Sequence, residues 1–152
     1  MEHTEYMLEA LAEADRCGDD VPVGAVVVRD GRIIARAHNQ REGFGPDAVL
    51  DHAEILAIRR AAEALGTQRL DGCALYVTLE PCPMCAGAMM LARLSKCYYG
   101  AYDVRQGCCG SVYSLPHDSR FYHRVPCVGG ILEEECALRL KEFFEKKRQG
   151  SC

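Results

Sequence analysis

The stretch CALYVTLEPCPMCAGAMMLARL, residues 73–94, places a strand, a turn and a helix in direct succession. Residues 73–79 are apolar and include β-branched and aromatic side chains, which is typical of a buried strand. Pro81 ends this strand and is predicted to open the helix, where its missing N–H costs no hydrogen bond. A strand that leads directly into a helix predicts a layered α/β domain.

The other elements are predicted from apolar periodicity and turn residues, and strands alternate with helices. Asp30-Gly31 is a two-residue hairpin signal, and Gly66 is suited to end a helix. The sequence predicts helices over 4–17, 52–65 and 133–148, strands over 22–28, 32–38, 96–101 and 126–132, and loops over 39–50 and 102–120. Together these elements predict one α/β domain spanning residues 1–152, with a hairpin at one edge of its sheet.

Composition indicates a chain that folds around one core. It has 152 residues, of which 49% are hydrophobic and 26% charged, and its formal net charge is -4. Any nucleic-acid binding must therefore depend on a local basic patch. No apolar run approaches the roughly 20 residues that span a bilayer, and the acidic start, MEHTEYMLEALAEADR, lacks the basic region of a signal peptide. We expect a cytoplasmic protein without a membrane segment.

The chain contains ten cysteines, and only Cys82 and Cys85 stand three residues apart. In a reducing compartment most of the ten would serve as small buried thiols. At a helix start, free N–H groups and the positive end of the helix dipole favour thiolates, and two thiolates at this spacing are a common half-site for zinc. The alternative is two core thiols that fall three residues apart by chance.

His52 offers a third metal ligand, because it stands at the start of a predicted helix with a glutamate two residues later, ahead of the Cys-x-x-Cys at the start of another helix. One imidazole and two thiolates would leave the fourth tetrahedral position for water, which is typical of catalytic zinc sites. Two interpretations of Glu54 stay open at this point. It is either the partner of Asp51 in a helix capping box, or a carboxylate that moves a proton from water to the substrate.

The combined pattern His-x-Glu and Pro-Cys-x-x-Cys matches the zinc nucleobase deaminases. Beyond it, the chain resembles the family of bacterial tRNA adenosine deaminases in PVGAVVV (22–28), HAEILAIR (52–59), LYVTLEPCPMCAGAMM (75–90), GAYD (100–103), GS (110–111), HRV (123–125) and the EFF and basic residues of 142–148. The resemblance implies a three-layer α/β/α cytidine-deaminase-like fold with a mixed five-stranded sheet. It also implies a homodimer in which both subunits border each active site, and conversion of adenosine to inosine at the wobble position of a tRNA anticodon.

The resemblance further implies roles for individual residues. His52, Cys82 and Cys85 would bind one Zn²⁺ per chain. Glu54 would shuttle protons while zinc-bound hydroxide attacks the purine six-carbon. The implied substrate contacts are Asn39 to the flipped base, Val23 and Ala101 as the pocket wall, Asp103 to the nucleotide backbone, and Phe144 with the basic tail to the anticodon stem-loop. Without the resemblance, Asn39 would be interpreted as closing a loop, and Val23 and Ala101 as core residues. Asp103 would be a turn former, and Phe144 part of a solvated helix face.

Several positions depart from the family pattern. The segment before His52 reads AVLD, and the loop from Asn39 to His52 is longer than in the family. Asp51 replaces a small residue and is interpreted as a plain N-cap of the helix that follows. Cys108 and Cys109 also replace small residues, and they are either packing residues or oxidation-prone thiols.

Two other functions stay open on sequence alone. A deaminase of a free base or nucleoside, such as guanine, cytosine or cytidine, would share the zinc ligands but would not need the basic, aromatic C-terminal helix. A non-catalytic zinc- and RNA-binding module would require Glu54 to serve only as a helix cap.

Overall fold

A five-stranded sheet with helices on both faces is the framework of the molecule, and the computed structural model describes residues 2–150. The strands are β1 (Gly24–Arg29), β2 (Arg32–His38), β3 (Cys73–Leu79), β4 (Lys96–Ala101) and β5 (Cys127–Val128). The helices are α1 (His3–Ala14), α2 (Ala53–Leu65), α3 (Pro83–Leu91) and α4 (Glu133–Gly150), with 3-10 turns at Pro46–Leu50 and Leu115–His117. The single domain over 1–152 stays a prediction, and its residues 1, 151 and 152 lie outside the described residues.

The sheet is mixed, as predicted. Its strand order is β2-β1-β3-β4-β5. β1 pairs antiparallel with β2 and β3, whereas β4 pairs parallel with β3 and β5. The predicted hairpin is confirmed, because Asp30 and Gly31 both have positive φ, 50° and 74°, as the two central residues of a type I′ turn require.

The two faces of the sheet carry different apolar clusters, because alternate residues of a strand point to opposite sides. On one face, Val27, Leu75 and Val77 pack in a cluster with the alanines of α2 and with Met89 of α3. On the other, Val26 and Tyr76 pack with residues of α1 and with Cys136 of α4. The three-layer α/β/α arrangement is therefore confirmed. It places the starts of α2 and α3 on the same face.

Several local predictions differ from the structure, and the strand predicted over 126–132 is confined to Cys127–Val128. Pro81 does not open α3, since the helix begins at Pro83 with Cys82 as its N-cap. Asp51 is not the N-cap of α2, because it ends the Pro46–Leu50 turn and the N-cap residue is His52. The predicted loop 39–50 contains that 3-10 turn. The physical reason for the shifted start of α2 is a distant side chain, Asn39, which bonds the first helical N–H.

Among residues 2–150, no helix combines the length and the apolar character that crossing a membrane requires.

Candidate active site

The N-termini of α2 and α3 bring three potential metal ligands together. His52 is the N-cap of α2, Cys82 is the N-cap of α3, and Cys85 lies in the first turn of α3. His52 Nδ1 is 3.7 Å from Cys82 Sγ and 3.6 Å from Cys85 Sγ. The three ligand atoms all lie within 4.8 Å of one another. The two helices meet at their N-termini, where unpaired N–H groups favour anionic ligands.

The spacing of these atoms fits a tetrahedral zinc ion. Zinc bonds of about 2.3 Å to sulfur and 2.0–2.1 Å to nitrogen, at tetrahedral angles, place the two ligand atoms about 3.6 Å apart. The observed nitrogen–sulfur distances of 3.6 and 3.7 Å agree with that value. Cys85 is buried, whereas His52 and Cys82 are partly exposed, so a fourth ligand has access from solvent.

The same group of residues favours a thiolate. The hydrogen bond from Cys85 lowers the pKa of Cys82 to about 4, and His52 acts in the same direction although burial opposes both. The hydrogen bond to Cys82 and burial raise the pKa of Cys85. The hydrogen bond to Cys82 also raises the pKa of His52 against the effect of its burial. Cys82 is thus the first of the two thiols to ionise, as a metal ligand must.

Glu54 lies in the first turn of α2 and is 4% exposed. Burial raises the pKa of its carboxyl to about 7, even though the adjacent His52 favours the ionised form. Because Asp51 is not the N-cap, the capping box considered from the sequence does not form. A carboxyl group whose pKa lies near neutrality can both accept and release a proton at physiological pH.

Asn39 closes the loop before α2, and this is its structural role. Its Oδ1 accepts from the Ala53 N–H at 2.8 Å, and its Nδ2 donates to the Val21 carbonyl oxygen at 3.1 Å. The residue is 5% exposed. An amide nitrogen carries two hydrogens, so a second Nδ2–H is available to another acceptor. Asn39 is thereby bonded to the residue that directly follows His52.

Val23 and Ala101 lie in the apolar core. Val23 is 4% exposed and packs in the cluster that contains the α2 alanines. Ala101, at the end of β4, is 3% exposed and packs in the cluster on the opposite face of the sheet. These positions match the simpler interpretation of both residues as core.

Asp103 and Phe144 line one cavity of about 780 Å³. Its wall also includes Val21, whose carbonyl oxygen bonds Asn39, and Leu79, the last residue of β3. The basic residues at this cavity are Arg105, Lys147 and Arg148. Asp103 additionally forms a turn, because its Oδ1 accepts from the N–H groups of Arg105 and Gln106. The loop that contains Asp103 and the C-terminal helix α4 therefore face the same cavity.

Cys108 and Cys109 are packing residues in this structure, at 1% and 2% exposure within the main apolar cluster. Burial raises the pKa of the Cys108 thiol, which lowers its reactivity toward oxidants.

Two buried carboxylates near the site were missed by sequence reasoning. Asp20 is 3% exposed and accepts from the N–H groups of Arg41 and Glu42, so it anchors the loop between Asn39 and His52. Glu80 is 2% exposed and bonds the loop that contains Asp103. Their partners in these two loops are more than twenty residues away in sequence. No local pattern marks such contacts.

Comparisons with known proteins agree with this geometry. The sequence model of the MafB19-like deaminase family matches residues 1–121. The fold and the site together thus define a deaminase of the cytidine-deaminase-like class. The "tRNA-specific adenosine deaminase" of Bacillus subtilis is 50% identical over 95% of this chain and 89% of its own. The chain belongs to the family of tRNA-specific adenosine deaminases.

Solved structures of deaminases are also similar to this chain. A structure from work on A-to-I editing by tRNA:A34 deaminases at the wobble position superposes with a TM-score of 0.85 and 45% identity, over 90% of this chain and 99% of that one. A guanine deaminase from Bacillus subtilis superposes with a TM-score of 0.61 and 40% identity, over 67% of this chain and 66% of that one. The similarity is thus greater, and covers more of both chains, for the tRNA deaminase.

Proposed function

We propose that this protein is a zinc-dependent hydrolase that converts adenosine to inosine at the wobble position of a tRNA anticodon. The observation that supports this most is the group His52, Cys82 and Cys85 beside the buried Glu54. Within the family of tRNA-specific adenosine deaminases, this arrangement supplies both a metal site and a proton carrier. The proposed stoichiometry is one Zn²⁺ per chain, which the one group of this kind among residues 2–150 supports.

Bound zinc supplies an acidified water for attack on the purine six-carbon. Glu54 would move the two protons of the attacking water in turn, the first to a purine ring nitrogen and the second to the amine, which leaves as ammonia. Its burial suits it to this work, because the pKa of about 7 allows both protonation states in one catalytic cycle. His52, Cys82 and Cys85 hold the metal, and the partial exposure of His52 and Cys82 leaves the reacting side open.

Asn39 is the proposed contact for the flipped base, through its second Nδ2–H. Its hydrogen bonds to Val21 and Ala53 fix the amide, so little freedom is lost when a base binds. Val23 and Ala101 stay the proposed wall of the base pocket, Val23 from the face of the sheet that carries the metal ligands and Ala101 from the C-terminal end of β4.

The RNA is proposed to lie across the cavity of about 780 Å³ lined by the 102–106 loop and α4. Asp103 would contact the nucleotide backbone, where a carboxylate can accept from a ribose hydroxyl. Phe144 is 46% exposed and offers a surface on which an unpaired base can stack. Arg105, Lys147 and Arg148 add the positive charge that phosphates require.

The proposed assembly is a cytoplasmic homodimer. An apolar groove between α3 and the 121–123 segment supports it, since Leu91 and Tyr122 are 85% and 104% exposed and line this groove with Met90. Such a patch is costly to leave in water. Sedimentation at several protein concentrations tests the dimer, and a Leu91→Asp Tyr122→Asp variant that sediments as the wild type would exclude this groove as the contact.

The deciding experiment is deamination of an anticodon stem-loop with adenosine at the wobble position. We expect inosine in the digested RNA, no reaction when another adenosine of the loop is the only target, and little reaction with free adenosine. Chelation should abolish turnover, and added Zn²⁺ should restore it. Absence of inosine from the stem-loop with zinc-loaded protein would refute the proposal.

A second candidate is a deaminase of a free base, favoured by the similarity to the Bacillus subtilis guanine deaminase. Release of ammonia from free guanine, cytosine or cytidine, with no inosine in the stem-loop, would support it. A non-catalytic zinc- and RNA-binding module predicts binding of the stem-loop without turnover of any of these substrates.

A further inference from the structure

Glu80 is a buried carboxylate that the proposed reaction does not use. It directly follows β3, stands two residues before Cys82, and is 2% exposed. Its Oε1 accepts from the Asp103 N–H at 3.0 Å and from the Ser111 hydroxyl at 2.5 Å. Its Oε2 accepts from the N–H groups of Cys109 and Ser111, at 3.1 and 3.0 Å. All four donors belong to the loop segment 103–111.

The loop encloses this carboxylate closely. A Cβ atom at Gly107 would lie 2.4 Å from Glu80 Cδ and 2.5 Å from the Asp103 carbonyl oxygen. Only a residue without a side chain fits there. The Gly107 N–H donates to that same Asp103 oxygen at 2.8 Å, which closes the turn around Glu80.

The loop is also bonded to the turn that carries the metal ligands. The Pro81 carbonyl oxygen accepts from the Cys108 N–H at 2.9 Å, immediately before Cys82. The Glu80 N–H donates to Ala101, at the end of β4, at 2.9 Å. Glu80 and Pro81 are therefore a two-residue connection between the metal-binding turn and the loop that presents Asp103 to the cavity.

We propose that Glu80 is a positioning residue for RNA binding. It holds segment 103–111 at a set distance from the metal ligands, so that Asp103 and Arg105 reach the nucleotides beside a base that is bound at the reacting centre. The GS pair at 110–111 acquires a role in this way, because Ser111 supplies two of the four hydrogen bonds. This inference rests on the proposed function, since it concerns how the same RNA is held.

The chemistry of the carboxylate makes the proposal testable. A carboxylate only accepts hydrogen bonds, and three of the four groups that bond Glu80 are backbone N–H donors. In Glu80→Gln one oxygen becomes an NH₂ group that faces at least one backbone N–H, with which it cannot form a hydrogen bond. Losing hydrogen bonds to a charged group changes an equilibrium constant by about tenfold or more. The loop should then sample positions in which Asp103 no longer meets the RNA.

The test compares steady-state kinetics on the anticodon stem-loop. For Glu80→Gln we expect KM to rise at least about tenfold while kcat stays within about threefold. Zinc content should equal that of the wild type, and the amide hydrogens of residues 109 and 111 should exchange faster. Ser111→Ala is the milder variant, because Ser111 is exposed and the backbone bonds remain. Its KM should rise less, and Ser111→Thr, which keeps the hydroxyl, should restore it.

Glu13→Gln is the matched control, because Glu13 is another buried glutamate, at 6% exposure, and bonds His38 and Arg16 instead of the loop. It should lower stability without raising KM. A wild-type KM and unchanged amide exchange in Glu80→Gln would overturn the positioning role. So would an equal rise of KM in the control. If the wild type itself makes no inosine, the proposed function fails, and amide exchange alone then decides whether Glu80 orders the loop.

Discussion

At the scale of single residues, burial gives Glu54 the property on which its proposed role depends. Its neighbours in α2 are small, as Ala53 and Ala57 are both fully buried. Removing the carboxyl from water raises its pKa to about 7. The same Glu at an exposed helix start would stay ionised near neutrality and would be a poorer proton donor. The residue type and its place together define the proton carrier.

Glu54→Gln should reduce kcat on the anticodon stem-loop by about 10²- to 10⁴-fold, the usual contribution of a positioned acid–base group. Because glutamine has nearly the same shape as glutamate, zinc content and affinity for the stem-loop should stay close to those of the wild type. Single-turnover rates with saturating enzyme measure the effect. Glu63→Gln, an exposed change in the same helix, should leave the rate unchanged. A Glu54→Gln enzyme with wild-type kcat would disprove the assignment.

Asn39 combines a cap with a proposed base contact, and the two can be separated. Asn39→Ala removes the acceptor for the Ala53 N–H, so the free energy of unfolding should fall by about 1–2 kcal/mol, as for a lost N-cap. Urea denaturation measures this. Activity should fall further than the loss of folded protein explains, because the contact with the base is lost too. Gln40→Ala, at the neighbouring position, should show neither effect.

At the scale of elements, the site depends on where two helices begin. The group of ligands forms because N-cap positions of α2 and α3 meet on one face of the sheet. A strand followed by a helix was predicted at 73–94 from local pattern, and that order is confirmed. The starting residues were less predictable. The sequence PCP offers two prolines suited to a first helical turn, and tertiary packing selects Pro83.

Contacts between α1 and β2 carry a pH dependence. Hydrogen bonds from His38 and Arg16 lower the pKa of Glu13 despite the opposing effect of burial. A group whose pKa is lower in the folded state stabilises the fold above its unfolded pKa and loses that contribution as pH falls through the folded value. The difference in free energy of unfolding between the wild type and Glu13→Gln should therefore have its full value near pH 7.

That difference should narrow as the pH falls below about 4.5, the usual pKa of a glutamate. Urea midpoints of the two proteins at matched pH values measure it. Loss of metal at low pH affects both proteins alike and cancels in the comparison. A difference that stays constant from pH 7 to the acid limit of folding would contradict this account.

At the scale of the whole molecule, the protein and its proposed RNA substrate both carry a net negative charge. The chain carries a formal charge of -4, so long-range attraction for RNA is weak and binding depends on the local basic residues at the cavity. Arg105, Lys147 and Arg148 come from two distant segments that the fold places together. Sequence alone indicated only the second of these segments.

Salt dependence tests this arrangement. The logarithm of stem-loop affinity should fall linearly with the logarithm of salt concentration, and Arg105→Gln should reduce the slope by about 0.7, the value for one phosphate contact to a single strand. Filter binding at several salt concentrations measures it. Arg69→Gln removes an exposed charge that pairs with Asp71 outside the cavity, and its slope should equal that of the wild type. If the wild type, Arg105→Gln and Arg69→Gln all have the same slope, Arg105 does not contact a phosphate of the RNA.

The sequence by itself determined the order of the main helices and strands, the hairpin at Asp30-Gly31 and the types of residue in the metal group. These follow from periodicity, turn chemistry and ligand spacing within short windows. Only the tertiary structure decided that Asn39 caps α2 and that Glu80 holds segment 103–111. Those contacts join atoms far apart in the chain. Their energy appears only when the sheet has brought the segments together, so no local pattern encodes them.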